Sequence, residues 1–316
     1  MIEVPLRDAA TVMLVRNAPD DRGPDDRGPD DRGPDLALGG DSVLEVFMLR
    51  RNLQSDFVGG AYVFPGGGVD DHDRHADLEP ICHGRTDADA SAQLGIDAGG
   101  LAFWVAAIRE SFEEAGVLLA YGPEGPDAEF IRFDTPEVVA RFAEHRRAVD
   151  TGERRLIEIC ADEHLTLAVD SMHYFSHWIT PEGNHRRYDT RFFVGRAPDA
   201  QVPLHDDREV IANLWVRPAD ALARHRAGEF EMIFPTIRTL EVLERFASAE
   251  DLIAAAAAIG EVPTILPRIV ADQGGMRIVL PGDPGYDDLV TAEVPKGVAL
   301  TEVSAQSAAG GSHAAS

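Results

Sequence analysis

Apolar positions recur along the chain with two periods, and the clearest helical stretch is LAFWVAAIRESFEEAG, Leu101 to Gly116. At about 100° per residue, Leu101, Trp104, Val105, Ile108, Phe112 and Ala115 fall within one arc roughly 100° wide, a core-facing stripe. Glu110, Glu113 and Glu114 fall on the opposite side. Strand-like runs surround this helix. Ala9 to Arg16 and Val43 to Arg50 read as paired strands, and Ala61 to Phe64 as a short strand entering a glycine turn at Gly66-Gly67-Gly68. Val117 to Tyr121, Met172 to Thr180, Tyr188 to Arg196 and Glu209 to Val216 read as further strands, with hairpin chemistry at Pro181-Glu182-Gly183-Asn184. Helices are predicted over Pro136 to Val149, with Val138, Val139 and Phe142 on one side, and over Glu153 to Glu163. Others follow at Ala219 to Ala227, Thr236 to Phe246 and Ala249 to Ile259, before a terminal hairpin from Ile265 to Leu280. Strands and helices intermixed in this way predict an α/β fold.

Two stretches lack such periodicity. Pro19 to Asp35 repeats the pentapeptide DDRGP three times, and proline, glycine and charge without apolar residues cannot offset ordering entropy. It is expected to be a disordered tip between the first two strands. From Lys296 to Ser316 the Ala, Ser and Gly content predicts an unstructured tail. The remainder is read as one elaborated domain over residues 1–246, with residues 247–295 as an extension packed on it.

Composition narrows the function classes. The 316 residues carry a formal charge of −26, with Lys296 as the single lysine. Such a chain repels nucleic acid and anionic membranes, so a polyanionic substrate needs a local basic patch and a metal. Cys82 and Cys160 are too few for a disulfide framework. No signal-peptide pattern, membrane span or Ser-Lys-Leu terminus is present, and a cytoplasmic location is expected. A homodimer is left open.

Candidate chemistry gathers on the central helix. Three carboxylates on one helix face are usually solvated surface, but they repel unless a cation joins them, and a hard divalent cation, Mg²⁺ above all, suits such oxygen donors. Arg109 stands four residues before Glu113, where the two can pair. The glycine turn lets backbone carbonyls approach an ion or phosphate closely. Arg186, Arg187 and Arg191 concentrate positive charge suited to phosphate, although any one of them could equally serve a surface salt bridge. Residues 69–100 are acidic and carry His72, His75, Cys82 and His83. Adjacent Cys82 and His83 lack the spacing of paired zinc ligands, and the stretch is read instead as a small cap beside the active site.

Arg109, Glu110, Phe112, Glu113, Glu114, Gly116 and Val117, following the glycine turn, resemble the Nudix box, G-x5-E-x7-R-E-U-x-E-E-x-G-U, of the Nudix hydrolases. The distance from Gly67 to Arg109, 42 positions (109 − 67), exceeds the pattern's by about 28 residues. Counting six from Gly67 gives Asp73 as the candidate for the family's first glutamate. An insertion at this place resembles the coenzyme A diphosphatase branch. So do Trp178-Ile179-Thr180-Pro181 and the run from Arg186 to Phe193. The coenzyme A signature ahead of Gly66 is partial: Arg50, Arg51, Gly60 and Phe64-Pro65-Gly66-Gly67 fit it, which makes Arg50 and Arg51 candidate substrate-binding residues, but Asp56 stands where one version has arginine.

The resemblance implies an α/β/α sandwich around a mixed sheet and a metal-dependent hydrolase of a small-molecule diphosphate. Glu113 and Glu114 would be principal Mg²⁺ or Mn²⁺ ligands, Glu110 a ligand or base, and the Gly67 carbonyl a further ligand. Arg109 would orient a carboxylate. Glu209 is the candidate for a carboxylate outside the box, with Asp206 and Asp207 as its rivals. The branch implies coenzyme A or acyl-coenzyme A, cut to 3′,5′-ADP and (acyl-)4′-phosphopantetheine. ADP-ribose, dinucleotide or nucleoside-triphosphate hydrolysis stays open, as does a Nudix module that senses a nucleotide without cleaving it.

Overall fold

The run from Ala9 to Val15 is apolar at nearly every position because the strand it forms is covered on both faces. A computed structural model of the chain describes residues 4–18, 43–52, 59–127, 129–202, 210–272, 275–284 and 286–288. The repeat at 19–35, Asp56, the 203–209 segment that holds Glu209, Asp206 and Asp207, and the tail from 296 lie outside them. In that structure β1 (Leu6–Asn17) pairs antiparallel with β2 (Leu44–Arg51). Next come β3 (Tyr62–Val63) and β4 (Gly66–Gly68). Two 3₁₀ turns, Asp71–Arg74 and Ala76–Ile81, lead into α1 (Asp87–Leu94) and α2 (Leu101–Ala115). Then β5 (Ala120–Tyr121), α3 (Pro136–Asp150), α4 (Leu156–Asp162) and β6 (Thr166–Leu167) precede the long hairpin of β7 (Met172–Ile179) and β8 (Arg187–Arg196). The chain continues through β9 (Val210–Val216), α5 (Pro218–Arg226), α6 (Phe234–Leu243) and α7 (Ala249–Ala257). It ends in β10 (Thr264–Ile265) and the hairpin β11 (Arg268–Asp272) and β12 (Gly275–Val279).

Among the described residues the main sheet runs β10-β7-β8-β1-β2-β3, with β4 also on β1 and β9 also on β2. It is mixed: β1 runs parallel to β8 and β10 parallel to β7, while β1–β2 and β7–β8 are antiparallel. Alternation along β1 divides the core. Ala10, Val12 and Leu14 pack with α2 and with Phe142, Leu156 and Ile159 of α3 and α4. Met13 and Val15 pack on the other face with Ala221, Leu240 and Leu252 of α5, α6 and α7. This is the α/β/α sandwich expected from the sequence. No helix among the described residues is long and apolar enough to cross a membrane.

Helix α2 is more deeply set than an amphipathic pattern suggests. Of its residues only Glu110 and Glu113 escape burial. Its start is held by the inserted stretch, where the Asp87 carboxylate of α1 accepts from the Gly99 and Leu101 amides at 2.9 and 3.0 Å. A Cβ on Gly100 would lie 2.3 Å from the Ser91 nitrogen, so α1 can pass this close only over a glycine. Its end is closed by Gly116 at φ 68°, whose amide bonds back to Phe112 and Ser111. In the core below, Trp104 packs 4.5 Å from the Phe193 ring and donates its indole N–H to the Met172 carbonyl.

Several expectations are corrected. The glycine turn is a strand, with Gly66, Gly67 and Gly68 paired to Thr11, Ala10 and Ala9. The strand expected from Val117 shrinks to Ala120–Tyr121. The amide and carbonyl of Leu118 are instead satisfied by the Gln201 side chain at 2.9 and 3.0 Å. Helix α4 begins at Leu156 because Gly152, at φ 71°, turns the chain after α3. On α3, Phe142 is buried but Val139 is 46% exposed.

Candidate active site

Strand β4 lies against β1 on one side and against the carboxylates of α2 on the other. A Cβ on Gly66 would stand 2.5 Å from the Ala10 carbonyl oxygen, and one on Gly67 would stand 2.4 Å from the Glu110 carboxylate. The missing side chain at Gly66 lets β4 approach β1, and the one at Gly67 leaves room for the Glu110 carboxylate. Glu114, 7% exposed, accepts the Gly66 amide at 2.9 Å.

Arg109 is the hub. Its Nε and Nη2 grip the buried Asp73 carboxylate, each at 2.9 Å, and Nη2 also donates to the Gly68 carbonyl at 2.7 Å. Nη1 donates to Glu110 and Glu113, both at 2.9 Å. Asp70 stands 3.8 Å from Nη2. One guanidinium thus faces four carboxylates. Asp73, which counting from Gly67 singles out, is a binding partner of Arg109, delivered by the first 3₁₀ turn of the inserted stretch. Asp70 is the one residue of that stretch lining the cavity, and the stretch also holds α2 through Asp87 and Arg109 through Asp73.

The electrostatics follow from this crowding. Burial raises the Glu110 carboxyl to about 7 against the pull of Arg109, and Asp73 and Asp70 add to the rise. Burial likewise raises Glu113 to about 8; Arg109 opposes this and Glu110 reinforces it. Burial by itself would lower Arg109, but its bond to Asp73 and the charges of Glu110, Asp73 and Glu113 hold it above its ordinary value.

These residues line a cavity of about 510 Å³. Gly67, Arg109, Glu110, Glu113 and Glu114 all reach it, and so do Arg51 and Arg186 of the five candidate substrate-binding arginines. The other three do not. Arg50 donates to the Gly60 carbonyl at 3.2 Å and lies over the Tyr62 ring. Arg187 donates to the Thr180 carbonyl at 3.1 Å, while Arg191, 4% exposed, pairs with Asp189 and lies 4.7 Å over Phe103. The reason is the pleat of β8. Its odd-numbered positions face α2, and Tyr188, Thr190 and Phe192 on the other face line the cavity.

Other wall residues were invisible in the sequence. Ile233, Phe234, Pro235 and Thr236 at the start of α6, with Pro267 and Ile278 of the terminal segment, also line the cavity. Periodicity marks such positions only as core. Among the described residues no three His, Cys, Asp or Glu side chains converge on a point as a metal cluster, the 69–100 histidines and Cys82 included. Glu110 and Glu113 are instead engaged by Arg109, and Glu114 by the Gly66 amide. The donors themselves are hard oxygens, with the Glu110 and Glu113 carboxyls raised by burial, and such oxygens suit a divalent cation.

The chain is similar to several known proteins. The family model of the NUDT19 Nudix domain matches residues 85–243, half of the chain. The human protein named acyl-coenzyme A diphosphatase NUDT19 (Homo sapiens) is 30% identical over 272 residues, 76% of this chain and 72% of its own. The protein of that name from Gallus gallus is 29% identical over 318 residues, covering 89% and 80%. The crystal structure of a Nudix hydrolase from Alicyclobacillus acidocaldarius shares the fold with a TM-score of 0.58 at 24% identity, covering 79% of this chain and 96% of that one. Fold, box residues and sequence kinship converge, and the chain belongs to the Nudix hydrolases, in the branch of NUDT19.

Proposed function

We propose that the protein hydrolyses the diphosphate bond of coenzyme A or an acyl-coenzyme A, giving 3′,5′-ADP and (acyl-)4′-phosphopantetheine. The observation that carries this reading is the similarity to proteins named acyl-coenzyme A diphosphatase, which spans most of the chain. The cavity supports it, since it is lined by the box carboxylates and by two arginines on other elements.

Nudix hydrolases generally use divalent metal ions, and here Glu110, Glu113 and Glu114 would hold Mg²⁺ or Mn²⁺, with the Gly67 carbonyl as a further donor. When bound, the ion lowers the pKa of the attacking water and neutralises charge building on the diphosphate. The protein's own residues set the stage for this. Arg109 fixes the Glu110 and Glu113 carboxylates, and Asp73 fixes Arg109. The Gly66 amide orients Glu114. Arg51 and Arg186, which line the cavity, would meet phosphate oxygens there. Glu110 serves as ligand or as proton acceptor.

Purified protein should be incubated with coenzyme A, acyl-coenzyme A, 3′-dephospho-coenzyme A, ADP-ribose and a nucleoside triphosphate, with Mg²⁺, Mn²⁺ or a chelator, and the products separated by chromatography. Coenzyme A and its thioesters should yield 3′,5′-ADP, and 3′-dephospho-coenzyme A should be about 10- to 150-fold poorer, the scale of a lost charge-assisted hydrogen bond. Arg51→Ala or Arg186→Ala should narrow that gap. A higher kcat/KM for ADP-ribose than for coenzyme A and every thioester tried would refute the substrate and leave the Nudix chemistry standing.

A further inference from the structure

We propose that the apolar wall built by the start of α6 and the terminal hairpin receives the acyl-thioester end of the substrate and sets its chain-length preference. The inference rests on the coenzyme A reading above. Beyond β9 the described chain contributes Ile233, Phe234, Pro235, Thr236, Pro267 and Ile278 to the cavity, and none of them is ionisable. Trp178 of β7 extends this wall, lying edge-on to Phe234 with ring centroids 6.1 Å apart at 83°. The carboxylates of the cavity come from elsewhere: Asp70, Glu110, Glu113 and Glu114 from the inserted stretch and α2, and Asp150 from the end of α3.

A diphosphate held at the carboxylates divides the substrate into two unlike arms. One is a nucleotide bearing a further phosphate, and the other is neutral and ends in an alkyl chain. A phosphate laid on the C-terminal wall would leave water for a surface without a charged donor, which is costly. An alkyl chain gains by leaving water at the same place. The start of α6 carries amides of the kind that attract anions, but Pro235 in its first turn has no N–H and Ile233 brings no polar side chain. Arg51 and Arg186, on other elements, are the cations of the cavity suited to the nucleotide arm.

The test is the kcat/KM series for coenzyme A and its acetyl, butyryl, hexanoyl and octanoyl thioesters, in the wild type, Ile278→Val, Ile278→Asp and Phe234→Ala, each checked for folding by its melting curve. In the wild type kcat/KM should rise with chain length by up to about fourfold per buried methylene. Ile278→Val should keep the rise, and Ile278→Asp should flatten the series to within about twofold. Phe234→Ala, which adds no charge, should reduce the slope and so stands as the readout if Ile278→Asp fails to fold. A series that is flat in the wild type while coenzyme A is cleaved, or whose slope survives in the folded variants, overturns the assignment. Variants that shift the ratio of coenzyme A to 3′-dephospho-coenzyme A and leave the slope intact would assign this wall to the nucleotide and also overturn it. If ADP-ribose is cleaved and neither coenzyme A nor any thioester is, the substrate reading itself has failed.

Discussion

At the scale of single residues, the cluster around Arg109 separates function from folding. Glu114→Gln keeps an oxygen for the Gly66 amide at the same place, so the melting temperature should stay near that of the wild type. Turnover at limiting Mg²⁺ should fall by about 10² or more, on the scale of losing a ligand or base. Near-normal turnover would remove Glu114 from the site. The raised carboxyls give a second prediction. Glu110 near 7 and Glu113 near 8 lie well above the roughly 4.3 of an unfolded glutamate. Between those values the native state holds protons that the unfolded chain has released, so the stability of chelator-treated protein should fall as pH rises from about 5 to 8. Glu113→Gln should flatten that slope, and stabilisation by added Mg²⁺ should grow over the same range, since ligands bind the ion deprotonated. Melting curves across pH would show it, and a rising slope without metal would contradict the raised carboxyls.

At the scale of elements, β4 can lie this close to β1 because Gly66 lacks a side chain, and its glycines are not equivalent. Gly66→Ala would drive a methyl onto the Ala10 backbone, whereas a Cβ on Gly68 meets no atom within 4 Å. Gly66→Ala should therefore cost roughly 1–3 kcal/mol and most of the activity, while Gly68→Ala should stay within about 0.5 kcal/mol. Equal losses at the two positions would mean that chain flexibility, and not the close approach, governs β4. The same contrast shows what the sequence made legible. Helix α2 and strands β1, β7 and β8 stood out because burial imposes a period on each. The pairing of Gly66–Gly68 with β1 left no trace, since glycine carries no pattern. Arg187 and Arg191 looked equal to Arg186 because composition shows a basic cluster without showing which side of a strand faces the cavity. The shortening of β5 depended on Gln201, more than eighty residues away, which no local signal announces.

At the scale of the whole molecule, the charge of −26 opposes any polyanion that approaches. With Mg²⁺ saturating, kcat/KM for coenzyme A should rise as NaCl goes from about 10 to 200 mM, by a factor on the order of two or more, because salt screens the net repulsion. Stopped assays at constant Mg²⁺ would measure it, and a steep fall would mean that the field of Arg51 and Arg186 outweighs the rest. The terminal hairpin belongs to the same whole-chain view. Its Ile278 shares a cavity with Ala9 of β1, so the walls are drawn from both ends of the chain. During synthesis the first strand must wait, without its parallel neighbour β8 and without the hairpin, while most of the polypeptide is still being made. Such distant pairings make for slow folding, and the growing chain has no finished cavity until β11 and β12 have left the ribosome. A nascent enzyme of this design is therefore exposed to aggregation long before it can act, and its dependence on chaperones should be greatest in that interval.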